Sequence, residues 1–200
     1  GALGAGAVLW GGVQALRQPR LKPMIAYSTV AQLGYLMIAL PLAGGAAAGG
    51  ALTAAVLLAA SHAAAKAAMF LCAGSLLAAY GHDRIDALAG FGARLPLTAT
   101  AFALAALSLV GLPPTGGFVG KYLLVESAVR AGAWVTVAVV LAGSLLAAMY
   151  LFHALSRAFV EPGELPPGAL EAPSAPTAPQ FASLALALLA VALALAGGPL

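Results

Sequence analysis

Charge is scarce in this chain. Of its 200 residues, nine are Lys or Arg and six are Asp or Glu, 8% in all. A soluble domain carries about a quarter, so a fully water-facing surface is excluded. The formal net charge of +3 is small and tied to loops, which excludes nucleic acid as a partner. Cysteine is nearly missing too. Cys72 stands alone, which excludes an internal disulfide and a multi-cysteine metal site. Polar and apolar residues do not alternate, so β-barrel strands are not expected. The chain opens at Gly1 inside an apolar segment, without the charged n-region and cleavage pattern of a signal peptide. It is expected to be a piece of a longer chain with further helices upstream.

What fills the sequence is apolar residues, 62% of the total, with abundant Ala and Gly. Small residues let helices approach closely where lipid offers no hydrophobic drive to pack them. The expectation is an all-α, polytopic transmembrane bundle of about six spans, at about 20 apolar residues each. The first span is Ala2–Leu16, short because it is cut; the second covers 24–43. Gly44-Gly45 and Gly49-Gly50 punctuate a tight turn, and the third span covers 51–79. A polar loop over 81–95 holds His82, Asp83, Arg84, Asp86 and Arg94. The fourth span starts at Pro96, breaks around Pro113-Pro114 and resumes over 118–130. The fifth covers 133–159, a Pro/Ala-rich loop covers 161–179, and a final helix covers 180–197.

Six spans place Arg17, Arg20, Lys22, Arg84, Arg94 and Arg157 on one side and Arg130 alone on the other. Cytoplasmic loops carry the excess of Lys and Arg. The loops over 17–23, 81–95 and 161–179 are therefore expected in the cytoplasm, with Leu200 on the outer face. The setting is an integral membrane protein, of a prokaryotic inner membrane.

Two lysines violate the apolar pattern. Lys66 lies 15 residues from Ala51 and 14 from Tyr80, about 20 Å from either end of its span. Its stem is too short to snorkel to water. A charge at such depth costs about 3 kcal/mol on insertion scales, so it is rarely kept without a role. His62 is four residues earlier on the same helix face, and histidine changes charge near neutral pH. The pair makes a two-station proton relay, or else Lys66 is purely structural and pairs with a carboxylate on a helix missing from this chain. Lys121 follows Gly111-Leu112-Pro113-Pro114-Thr115-Gly116-Gly117. Two prolines break a helix, and irregular backbone at membrane depth survives only inside protein or beside a wet cavity. Lys121 is thus placed to meet water and freed carbonyls, or else to reach the headgroups past Arg130.

Other polar residues speak less clearly. Ser28, Gln32 and Tyr35 share a helix face at i, i+4 and i+7, either as relay stations or as interhelical hydrogen-bond glue. Glu126 forms a favourable i,i+4 pair with Arg130, or modulates Lys121. His153 marks a helix boundary. One His and two Asp in the 81–95 loop make no metal site, and Ser61 beside His62 lacks the acid partner and oxyanion device of a hydrolase. Neither catalytic chemistry nor a cofactor is expected on this chain.

Three stretches occur in order over about residues 10–160: LKPMIAYSTVAQLGY from Leu21 to Tyr35, SHAAAKAAMF from Ser61 to Phe70, and LSLVGLPPTGGFVGK from Leu107 to Lys121. They resemble the LKRLLAYSSVSQLGY, HAxxKAxLF and LSLxGxPPxxGFxGK segments of the antiporter-like membrane subunits of respiratory complex I. That family includes the large subunits of Mrp-type cation/proton antiporters and of membrane-bound hydrogenases. The resemblance implies two inverted five-helix repeats, each with one broken helix. This chain looks like the second repeat over 1–160, its first helix truncated, plus one closing helix. The family's lysine matching Lys66 sits on a central hydrophilic axis with His62 beside it, and the one matching Lys121 serves the exit toward the outer face. Pro23 departs from the family, which has a basic residue there.

The implied function is proton translocation through buried lysines and water, in a multisubunit complex of the NADH-quinone oxidoreductase or hydrogenase type. The alternatives are a Na⁺/H⁺ exchange subunit of an Mrp-type assembly and a non-conducting structural subunit. Partners would be other membrane subunits, the lipid bilayer and protons, with Na⁺ in the Mrp-type case.

Overall fold

The computed structural model describes residues 1–44, 48–161 and 176–197, and every regular element in it is a helix or a short 3₁₀ turn. Helix α1 is Ala2–Leu16, α2 is Leu21–Leu42 and α3 is Ala48–Tyr80. A short helix α4, Phe91–Arg94, leads into α5, Pro96–Val110, and α6, Gly116–Arg130. Helix α7 is Trp134–Ser156, and α8 is Thr177–Ala192, tightening into a 3₁₀ turn over Leu193–Gly197. Four of these are long and apolar enough to cross a bilayer: α2, α3, α7 and α8 with its extension. Helices α1 and α5 are apolar but shorter, and α5 and α6 are the two halves of the broken span.

The long helix α3 is the pillar of the bundle, packed against α2, α5, α6 and α8. Helix α1 lies along α2 and α7. Their contact is close because a Cβ on Gly34 would meet the Gly4 carbonyl at 2.6 Å. The buried apolar residues form two clusters. One gathers Met24, Met69, Phe91, Phe102 and Tyr150. The other gathers Val8, Tyr35, Leu58, Leu124 and Val140. The outside is apolar as well, with Trp134, Val135, Leu141, Leu145 and Phe181 exposed, as a helix bundle bathed in lipid must be.

Several boundaries differ from the expected ones. Helix α2 starts at Leu21, so Lys22 and Pro23 belong to its first turn, not to the preceding loop. The first four N–H groups of a helix have no intrahelical partner, so proline costs nothing there. Gly49-Gly50 is not a turn but part of α3. Gly50 serves packing, since a Cβ there would come within 2.9 Å of the Ser127 hydroxyl on α6. Gly45 and most of the expected loop over 161–179 lie outside the described residues.

One end of the bundle is stapled by backbone hydrogen bonds. Leu21 N–H donates to the Asp83 carbonyl and Ile85 N–H to that of Pro19. Gly90 N–H donates to Arg157, and Arg157 pairs with Asp86 at 3.0 Å. Arg20 meets Asp83 at 3.6 Å, and the Arg94 guanidinium covers the Tyr80 ring. Arg20, Arg84, Arg94 and Arg157 therefore gather at this end, while Arg130 closes α6, the C-terminal half of the broken span.

Candidate functional site

The break is built from its own residues. Gly111 ends α5 in a left-handed conformation, φ 86°, which glycine adopts without strain. Thr115 restarts the chain as the N-cap of α6: its hydroxyl accepts from Phe118 N–H at 3.2 Å and donates to the Leu112 carbonyl at 2.7 Å. Gly117 lets α6 press against α5, since a Cβ there would collide with the Ser108 carbonyl. The last carbonyls of α5 are left without intrahelical donors, at the negative end of its dipole.

Lys121 fills that vacancy. Its side chain turns back from α6, and Nζ donates to the Leu109 and Val110 carbonyls, each at 2.9 Å. The third donor goes to the Ser144 hydroxyl of α7 at 3.1 Å. The Tyr35 ring lies under the same nitrogen, 4.7 Å from centroid to Nζ. An ammonium has three donors, and here each has an acceptor. Lys121 is 6% exposed, so its amine is held inside the bundle and does not run to the headgroups.

Lys66 is equally buried, at 6%. Its Nζ donates to the Ile25 carbonyl at 2.7 Å and to the Ser28 hydroxyl. Two of its three donors are thus met by α2. Half-buried His62 sits one helical turn before Lys66 on α3, but it is not hydrogen-bonded to Lys66, and its Nδ1 finds no partner among the described residues.

The face shared by Ser28, Gln32 and Tyr35 runs between the two lysines. Ser28 meets Lys66, and Tyr35 lies against Lys121. Gln32, between them, donates its amide to the Leu109 carbonyl at 2.9 Å, the same oxygen that Lys121 holds. Seven residues separate Ser28 from Tyr35, so the two amines attach to α2 about 10 Å apart.

Glu126 pairs with Arg130 at 2.6 Å on the surface of α6 and makes no ion pair with Lys121. The ion pairs among the described residues all belong to surface groups, and neither buried lysine has a carboxylate within 4.0 Å. His153 and Asp86 lie 3.9 Å apart at the stapled end. Among the described residues, no group of three or more His, Cys, Asp or Glu is placed to hold a metal. Sequence reasoning missed Ser144. Its only signal was a hydroxyl inside an otherwise apolar span.

The family described as NADH:quinone oxidoreductase/Mrp antiporter, TM matches residues 1–147. The NADH-quinone oxidoreductase subunit N of Desulforudis audaxviator is 38% identical over 181 residues, which is 90% of this chain and 35% of that relative. In solved structures, a chain of respiratory complex I from Thermus thermophilus with bound aureothin superposes with a TM-score of 0.72 at 32% identity, covering 98% of this chain and 44% of that one. A chain of the Mrp complex from Dietzia sp. reaches a TM-score of 0.84 at 24% identity, over 97% of this chain and 43% of that one; that likeness concerns the fold alone. This chain spans well under half the length of the relatives it matches.

Proposed function

The chain belongs to the NADH:quinone oxidoreductase/Mrp antiporter transmembrane family, and we propose that it moves protons between Lys66 and Lys121 as the second repeat of an antiporter-like subunit. It is an integral membrane polypeptide of the kind found in multisubunit ion-translocating complexes. The remainder of the longer chain, or a neighbouring subunit, delivers the proton to Lys66. Lys121 releases it toward the outer face. Charge changes elsewhere in the complex set when each amine loads and unloads. No bonds other than those to hydrogen are made or broken on this chain.

The observation that carries this reading is the setting of the two amines. Both are buried, neither has a carboxylate partner among the described residues, and both are held by hydroxyls and carbonyls that can follow a change of protonation. The excess of Arg at the stapled end supports a cytoplasmic position for the 81–95 loop.

The test uses the complete complex reconstituted in liposomes. Lys66→Met and Lys121→Met are each expected to lower the protons moved per electron severalfold while the complex still assembles. Normal proton transfer in both variants would leave a packing role in its place. Exchange of Na⁺ for H⁺ is the competing reading, favoured by the family's joint description and by the shared fold with the Mrp complex chain. Proton movement unaffected by removing Na⁺ would count against it.

A further inference from the structure

The two prolines of the break remove two specific hydrogen-bond donors. In an α-helix the N–H of each residue donates to the carbonyl four residues earlier. Continued past Val110, α5 would serve Leu109 and Val110 from positions 113 and 114, and both are proline, which has no N–H. Leu109 and Val110 are both buried, and a buried carbonyl left without a donor is costly.

The two oxygens are not served alike. Val110 accepts from Lys121 Nζ at 2.9 Å and has no second donor among the described residues. Leu109 accepts from Lys121 Nζ on α6 and from Gln32 Nε2 on α2, each at 2.9 Å. A carbonyl oxygen has two lone pairs, and both are used here. The amide orientation of Gln32 is fixed by this partner, since a carbonyl only accepts. Nor can the backbone carry the oxygen elsewhere. The neighbouring Ser108 hydroxyl is tied to that of Ser61 on α3 at 2.7 Å, and Gly117 of α6 presses against the Ser108 carbonyl. The end of α5 is thus clamped by α2, α3 and α6 over three consecutive residues.

Resting on the lysine reading above, we propose that Gln32 is a positioning residue for Lys121. Its amide stands in for the missing N–H of Pro113, so that the Leu109 carbonyl stays paired while the Lys121 amine lets go of it. The need follows from counting donors. A charged Lys121 has three N–H groups for three acceptors: the Leu109 and Val110 carbonyls and the Ser144 hydroxyl. When it passes a proton to water on the outward side, one N–H bond breaks, its electron pair stays on nitrogen, and the water becomes hydronium. Two N–H groups then face three acceptors, and the amine must turn. Val110 has no substitute donor. Leu109 has one already in place, so it is the contact that the amine gives up, keeping Val110 and Ser144. Gln32 itself moves no proton.

The experiment compares Gln32→Met and Gln32→His in the complete complex reconstituted in liposomes, at about pH 8, where histidine is uncharged. Methionine keeps an unbranched, adaptable side chain but has no donor. The Nε2 of histidine stands as many bonds from Cβ as that of glutamine, so its N–H can meet the same carbonyl. In complexes that assemble, Gln32→Met is expected to slow proton transfer about tenfold, equivalent to about 1.4 kcal/mol in the barrier. Gln32→His is expected to recover most of that loss. A residue that only fills space would give the opposite order, because methionine adapts to the slot and a rigid ring does not. Normal transfer in Gln32→Met while Lys121→Met fails overturns the role of Gln32 and leaves the lysine reading standing. Equal losses in the two Gln32 variants overturn it as well. Normal transfer in Lys66→Met and Lys121→Met removes the lysine reading, and the role of Gln32 with it.

Discussion

Lys121 is held by geometry that begins one residue after the end of α5. Gly111 has a positive φ, and a Cβ there would press within 2.8 Å of the Lys121 side chain. Gly111→Ala therefore strains the backbone, at about 1–3 kcal/mol for a non-glycine in that region, and pushes the amine off its carbonyls. A lower unfolding midpoint of the purified complex together with slower proton transfer is the expected pair of readings. The two lysines were legible because a charge inside an apolar run stands out against its background. Ser28, Gln32 and Tyr35 were legible as one face, because seven residues make about two helical turns. Ser144 was not. The span that carries it is apolar on every side, so periodicity does not say which way a lone hydroxyl points. Only packing against α1, α2, α5 and α6 decides that.

The broken span was readable at the scale of an element. Paired prolines and flanking glycines fixed its place, and the observed halves end at Val110 and restart at Gly116. The restart depends on Thr115, whose hydroxyl both caps α6 and ties the connecting turn to the Leu112 carbonyl. Thr115→Val keeps the shape and removes both bonds. It is expected to cost about 1–2 kcal/mol, seen as a lower midpoint of thermal unfolding; an unchanged midpoint would mean the prolines alone hold the turn. Glycine was the residue most easily misread. In a soluble chain Gly49-Gly50 signals a turn, but between membrane helices it marks a close crossing, here against α6. The early start of α2 escaped notice because Pro23 looks like a helix breaker until it is recognised as a first-turn residue.

At the scale of the whole molecule, Arg20, Arg84, Arg94 and Arg157 collect with the backbone staples at one end, and Arg130 lies apart from them. That sidedness came from counting basic residues in alternate loops, and it is testable because Cys72 is fully buried and gives little background labelling. In right-side-out vesicles carrying the complete complex, a membrane-impermeant thiol reagent is expected to label Ala131→Cys, past the end of α6. It is expected to leave Ala87→Cys, at the stapled end, untouched until the membrane is opened. The reverse pattern would invert the bundle and the direction of proton release. Little of the stapled loop was legible, since the bonds from Gly90 and Leu21 join backbone groups whose side chains carry no signal.

Ser28 and Tyr35 are carried on a single rigid rod. A twist of α2 about its axis cannot loosen one amine and leave the other at rest, because both lean on the same shaft. Any push that reaches this helix from a neighbour is thereby delivered to both amines together, as a crank drives two pistons in phase.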